Sequence, residues 1–406
     1  MPKFSYRARD MQGLLVTGNY DADNLLEMER YLTDHGLIPI GVKESTSGFD
    51  LNTFKEFFKK KVGIEELLVV TRQFYTLFKA GMSMEGILST LAKQTPDKVL
   101  ADVLHRIKSR ISSGDSLSKA FSAHKDVFGE LYVSMLAAGE EAGILELVLS
   151  HVGELLEKEM ETKSAIKSAM MYPKIVIFVL IGAAGVIMTF VVPKFAGFFA
   201  NFGADLPLPT RILMGSSNFF RGYWYILFAG FITASYFYKR YSMTTRGQFK
   251  LGQIAFKLPV FGKLNLKVAN ARFCHILSAL YRSGMSMTRA LEITGKTIGN
   301  GAFMREVEIL KDEVTKGRSI SEGMAQCLYF TPIIVDATAV GEKTGALDEM
   351  LESMGKHYDV EVKHTIKNLT TLLEPILLGL IFGMVTVFAL AIFLPMWGLS
   401  SIVNKH

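Results

Sequence analysis

AAGEEAGIL, Ala137 to Leu145, returns in the second half of the chain as TAVGEKTGAL, Thr338 to Leu347. Neither phrase holds a nucleophile, a metal-ligand spacing or a phosphate loop, so the recurrence asks for an architectural reason. Sliding the sequence by 203 residues places KAGMSM (Lys79 to Met84) on RSGMSM (Arg282 to Met287), and SSGDSLSKAF (Ser112 to Phe121) on TKGRSISEGM (Thr315 to Met324). A single deletion then changes the shift to 202. That shift aligns Gly139, Glu140, Gly143, Leu145 and Glu146 with Gly341, Glu342, Gly345, Leu347 and Asp348, and Pro173 and Pro193 with Pro375 and Pro395. One helical domain with one exit helix is written twice in the same direction.

The exit helices point to a membrane. Of the 406 residues 49% are hydrophobic, high for a soluble protein. Three uncharged runs approach the ~20 apolar residues that a spanning helix needs: Ile175 to Pro193, Gly222 to Tyr238, and Pro375 to Asn404. Lys158, Lys163, Lys167 and Lys174 precede the first run, Lys239, Arg240, Arg246 and Lys250 follow the second, and Lys363 and Lys367 precede the third. Basic residues are retained on the cytoplasmic side, so the expected topology is N-terminus in and C-terminus out, with Trp224 and Trp397 at the outer interface. Two parallel copies that each end by leaving the cytoplasm need one return crossing, which is the unpaired middle run. The start, MPKFSYRARDMQG, lacks the apolar core of a secretory signal.

Helical punctuation fills each copy. Gly81 and Gly284 suit C-caps, Ser83 and Ser286 open the next helix, Ser319 with Glu322 reads as a capping box, and Thr331-Pro332 as N-cap and first turn. Ahead of the repeats, KFSYRARD and LLVTGNY flank Met11-Gln12-Gly13 as a hairpin, residues 22–35 read as a helix, and LIPIGVKE as a third strand. The predicted fold is mainly α, a polytopic membrane protein with three transmembrane helices, two tandem homologous cytoplasmic helical bundles and a small N-terminal ββαβ subdomain. Its segments are the subdomain (1–46), a linker (47–63), the first bundle (64–170), a span (171–193), an outer loop (194–221), a span (222–238), a cytoplasmic connection (239–266), the second bundle (267–374), a span (375–396) and an outer tail (397–406).

Candidate functional positions are few. Gly139 and Gly143, with Gly341 and Gly345, make tight connections between helices, where glycine permits positive φ and close backbone approach. Two readings stay open for Glu140 and Glu342: a cap for the following helix, or a contact with a partner or a cation at a subunit interface. Gly379 and Gly383 form a GxxxG that either lets helices pack closely or faces lipid. Pro173 and Pro375, at the membrane entrances, either kink the helix or begin the span. The run Lys55 to Lys61 is a solvated linker or touches anionic lipid or an acidic partner.

Chemistry is not written into the chain. ALEITGKT, Ala290 to Thr297, resembles a phosphate loop only until alanine stands where glycine is needed, and it fits an amphipathic helix. The histidines lack metal-ligand spacing, and His357 and His364 fit a solvent-facing helix side. Cys274 and Cys327 fall on the cytoplasmic side, where a stable disulfide is unusual, and read as buried apolar residues. No catalytic, cofactor-binding or metal-binding residue is assigned. The net charge of +6 suits an anionic inner leaflet, and no aromatic-interleaved basic motif points to nucleic acid. A small membrane transporter or permease subunit is the alternative, against which stands the lack of charge inside the three runs.

The opening FSYRARDMQGLLVTG, the helix TRQFYTLFKAGMSMEGIL, the paired GEEAGIL and GEKTGAL, VVPKFAGFFANFGADLPLPT and LLEPILLGLIFG together resemble the inner-membrane platform proteins of type IV pili and type II secretion systems, the PilC/GspF family. The resemblance covers essentially the whole chain. It implies a non-enzymatic, oligomeric platform in the bacterial inner membrane, with 194–221 and 397–406 in the periplasm. The partners it implies are a cytoplasmic hexameric assembly ATPase, prepilin or pseudopilin subunits, inner-membrane alignment-complex proteins, further copies of the chain itself, and lipid.

Overall fold

A computed structural model describes residues 3–9, 15–21, 32–33, 38–45, 62–191, 193–194, 208–259 and 261–403. The chain divides into two units, Met1–Lys61 and Val62–His406.

In the first unit, strands β1 (Lys3–Arg9), β2 (Leu15–Asp21) and β3 (Ile38–Ser45) form an antiparallel sheet in the order β2-β1-β3. Register runs Tyr6 to Gly18 and Tyr6 to Val42, with an irregularity between Arg7 and Ala8 on the β3 side. The predicted hairpin turn, most of the predicted helix at 22–35 and most of the predicted linker lie outside the described residues.

The second unit is helical. Its first copy contains α1 (Ile64–Lys79), α2 (Met84–Gln94), α3 (Lys98–Ser112), α4 (Leu117–Ser122), α5 (Lys125–Phe128), α6 (Glu130–Ala142) and α7 (Leu145–Ala169). Helix α7 leads through Met170 into α8 (Met171–Val186) and a π turn, Ile187–Val191. Next come α9 (Leu208–Ser242) and α10 (Thr245–Lys257). The second copy contains α11 (Phe261–Arg282), α12 (Met287–Thr297), α13 (Gly301–Thr315), α14 (Ile320–Ala325), α15 (Pro332–Thr344) and α16 (Leu347–Val403).

The helix starts carry the repeat in its register. Met84, Lys98 and Leu117 correspond at 203 residues to Met287, Gly301 and Ile320; Glu130 and Leu145 correspond at 202 to Pro332 and Leu347. The change falls at α5, a helix of the first copy that ends at Gly129, φ 85°; the second copy crosses the same gap as a turn over Cys327–Phe330. Equivalent glycines close equivalent helices, Gly81 at φ 77° and Gly284 at φ 79°, because a left-handed residue ends the ladder without a Cβ clash. Ser83 accepts from the Gly86 amide at 3.3 Å. Ser286 is the N-cap by position, with no side-chain cap hydrogen bond.

One continuous apolar core runs through both copies. Phe128 and its mate Phe330 anchor it, with ring centroids 4.7 Å from Phe121 and Phe273 respectively. Thr71, fully buried, is placed by hydrogen bonds to the Leu67 carbonyl and the Tyr132 hydroxyl.

Among the described residues two helical stretches are long and apolar enough to cross a bilayer, Leu145–Val191 and Leu347–Leu390. Their apolar windows are 0% and 11% buried within the protein, which is unfavourable in water and suits lipid. Each continues the last helix of a copy. Pro173 sits just after the one-residue break at Met170, where a missing donor costs a helical hydrogen bond. Pro375 lies within the unbroken α16. Helix α9 exposes Phe228, Phe231 and Phe237 along its length, and it begins at Leu208, well before the predicted start at Gly222.

Candidate functional site

The phrase written twice builds the same joint twice. Helix α6 ends at Gly143, φ 70°, and α15 at Gly345, φ 72°. Behind each turn the chain bonds back on itself, Ile144 amide to Gly139 carbonyl at 2.9 Å and Ala346 amide to Gly341 carbonyl at 3.0 Å. Gly139 and Gly341 are buried inside their helices, where the next helix crosses closely. A Cβ on Gly139 would stand 2.8 Å from Val148 Cγ2, and one on Gly341 would stand 2.9 Å from Leu347 Cα. Thus the first glycine of each phrase permits approach and the second permits the turn.

The glutamates reach backward. Glu140 accepts from the Leu117 and Ser118 amides at 2.7 and 2.8 Å, the opening of the six-residue α4. Glu342 accepts from the Ile320 amide, from the Ser321 amide at 3.0 Å and from the Ser321 hydroxyl. Ser116 and Ser319 satisfy the next free amides, those of Lys119 and Glu322, at 3.3 and 3.2 Å. The cap was expected on the following helix and falls instead on the preceding short one. The last turn of α6 or α15 packs over that N-terminus, whereas the following helix starts beyond a left-handed turn. Burial pushes the Glu140 carboxyl up, but the Ser118 hydroxyl and the two amides outweigh it and hold its pKa below the ordinary value.

A second repeated device, missed in the sequence, straps the first helix of each copy to its last. Arg72 pairs with Glu157 and Lys79 with Glu146; at the repeat-equivalent positions His275 pairs with Asp359 at 2.9 Å and Arg282 with Asp348 at 3.1 Å. The 203 and 202 shifts align all four pairs, which is the signal that would have found them. His275 is 7% exposed because the first copy covers it: Lys158 Nζ lies 3.1 Å from His275 Nδ1. Arg272 donates to Glu159 at 3.2 Å in the same junction, and Gly355 leaves room for the imidazole.

The other singled-out residues are scattered. Residues 290–297 lie on α12 with Ala290, Leu291, Ile293, Thr294 and Gly295 buried. Lys296 bonds Glu292 at 2.7 Å, and Lys296 with Arg289 holds the Glu292 carboxyl down at about 2. Cys274 and Cys327 are free and buried, and burial pushes both thiols well above their usual range. His357 and His364 are exposed. Gly379 and Gly383 face open space within this chain. Among the described residues no group of three or more His, Cys, Asp or Glu is placed to hold a metal ion.

Taken together, these features define a class: a tandem helical-bundle scaffold whose terminal helices run into apolar spans. Models of the type II secretion system protein F family match residues 70–193 and 273–395, and a model of that protein's N-terminal domain matches residues 1–43. The chain belongs to this family, and the two long matches keep the 203 and 202 offsets. It is 35% identical over 401 residues to type IV pilus assembly protein PilC of Thermus thermophilus, covering 98% of each chain. It is 32% identical over 404 residues to PilC of Myxococcus xanthus, covering 99% of this chain and 96% of that one. Against type II secretion system protein F of Vibrio cholerae it is 26% identical over 406 residues, covering 100% of both.

Proposed function

We propose that the chain is the inner-membrane platform of a type IV pilus or type II secretion machine, and that it couples a cytoplasmic hexameric ATPase to insertion of pilin or pseudopilin subunits. The observation that carries this reading is continuity: the last helix of each bundle passes into an apolar span, α7 into α8 and α16 along its own length. A displacement imposed on a cytoplasmic bundle then travels along a stiff helix into the bilayer. In this reading the chain transmits force and hydrolyses nothing; it self-associates and meets alignment-complex proteins and lipid. In cells lacking the protein, prepilin should still be made and held in the inner membrane while no filament forms. Filaments in those cells would refute the role.

The proposed topology has three crossings, α9 supplying the return, with the N-terminus cytoplasmic and the C-terminus periplasmic. A thiol reagent applied from outside should label Asn201→Cys and spare Thr245→Cys, against a quiet background because Cys274 and Cys327 are buried. The opposite pattern inverts the topology. Lys296→Ala should leave filament assembly intact, since the exposed Lys296 side chain bonds a half-buried glutamate one turn away on its own helix. ATP hydrolysis by the purified protein that disappears in Lys296→Ala would make the chain a motor.

A further inference from the structure

The interface between the two copies uses one face of each, and the repeat leaves the mates of both faces uncovered among the described residues. The first copy contributes α6 and α7, including Leu131, Ala138 and Lys158. The second copy covers them with α11, α12 and the turn between these helices, and with α16, through Arg272, His275, Met285, Ile293 and Val362. A groove of about 720 Å³ lined by Ala138, Met285 and Arg289 follows the seam.

At the 202 shift, Leu131, Ala138 and Lys158 fall on Ile333, Val340 and Val360, which are 46%, 52% and 52% exposed. At the 203 shift, Arg272, His275 and Met285 fall on Val69, Arg72 and Met82; Val69 and Met82 are 49% and 41% exposed, and the exposed Arg72 is paired with Glu157. The substitutions are complementary. Where the covered seam has the charged residues Lys158 and Arg272, both open faces carry valine, and Arg72, the mate of His275, is already paired with Glu157, so two such faces would meet without stranding a charge.

We propose that the open face of α15 and α16 receives α1 and the α1–α2 turn of a second copy of this chain, in the relation that the second bundle takes to the first. The contact is heterologous, so it passes from chain to chain until a ring closes. Because the repeats are parallel, each added chain keeps its spans pointing the same way. This inference supplies a surface for the self-association proposed above and rests on that reading.

The test is crosslinking of the full-length protein in membranes, with two tagged versions, Val69→Cys and Val360→Cys, each first checked to have the parent's unfolding midpoint. A short bismaleimide should give a dimer when the two are co-expressed, and only monomer with either alone. Val340→Asp on the Val360→Cys chain should reduce the mixed dimer to the single-variant background. Dimer formation by either variant alone would show an isologous contact and overturn the proposal. Monomer in every thiol arm, with dimers captured by a lysine-directed reagent, would overturn this surface and leave self-association standing. Monomer with both reagents would remove self-association as well.

Discussion

Replacing Gly341 by valine should markedly destabilise the second bundle. The new Cβ would meet Leu347 Cα at 2.9 Å and Met350 Cβ at 3.2 Å. The nearer atom is backbone at the start of α16, so relief requires that helix to move as a whole. Overpacking of this kind costs ~3 kcal/mol at its upper range, and at this size each kcal/mol lowers Tm by roughly 2–4 °C. The expected outcome for the purified protein is therefore a midpoint lower by about 6–12 °C. Gly139→Val should act alike in the first copy, where the obstacle is Val148. Gly345→Ala meets nothing within 4 Å and suffers only from φ 72°, so it should cost less, ~1 kcal/mol. Equal losses at Gly341 and Gly345 would mean that close approach is not what the first glycine provides.

Removing the carboxylates is the second large effect. Glu140→Ala strips two amides of α4 of their shared acceptor, and a hydrogen bond to a charged group contributes ~1.5–3 kcal/mol. A loss of about 2 kcal/mol is expected for each glutamate, with the two losses nearly additive because they lie in separate bundles and share no partner. The pH dependence has a definite sign. Since the folded Glu140 pKa is depressed below its ordinary 4.5, its contribution is complete above that value and is lost as pH falls through the lower folded one. Acid unfolding monitored by circular dichroism should show Glu140→Gln converging on the parent as pH falls from the ordinary 4.5 through the lower folded value. A gap between them that persists at lower pH would mean that the carboxylate charge is not the source of the stability.

Much of this architecture was legible. The left-handed glycines, Ser83 and Ser319 are local devices whose chemistry acts within a few residues, so periodicity and turn composition expose them. The repeat register was legible for the same reason twice over. What escaped was tertiary. Nothing near Glu140 in the sequence points to Leu117, and the His275 junction exists only because the first copy lies against the second. The fusion of the last bundle helix with its span in α16 could be anticipated from the missing stop signal between Leu347 and Pro375. The early start of α9 at Leu208 was hidden because Arg211 and Arg221 interrupt the apolar run that defined the expected span.

The twice-written phrase is an internal joint and not a contact site. The double variant Glu140→Gln, Glu342→Gln tests it, because glutamine keeps the shape of glutamate while leaving one oxygen where two bridge neighbouring amides. Unfolding midpoint and filament assembly should be measured on the same strain series. Both should fall together, and growth at lower temperature, where the weakened bundles stay folded, should restore assembly. Assembly lost at every temperature while the midpoint matches the parent would contradict that, and would place these carboxylates at a surface where a partner or a cation is held.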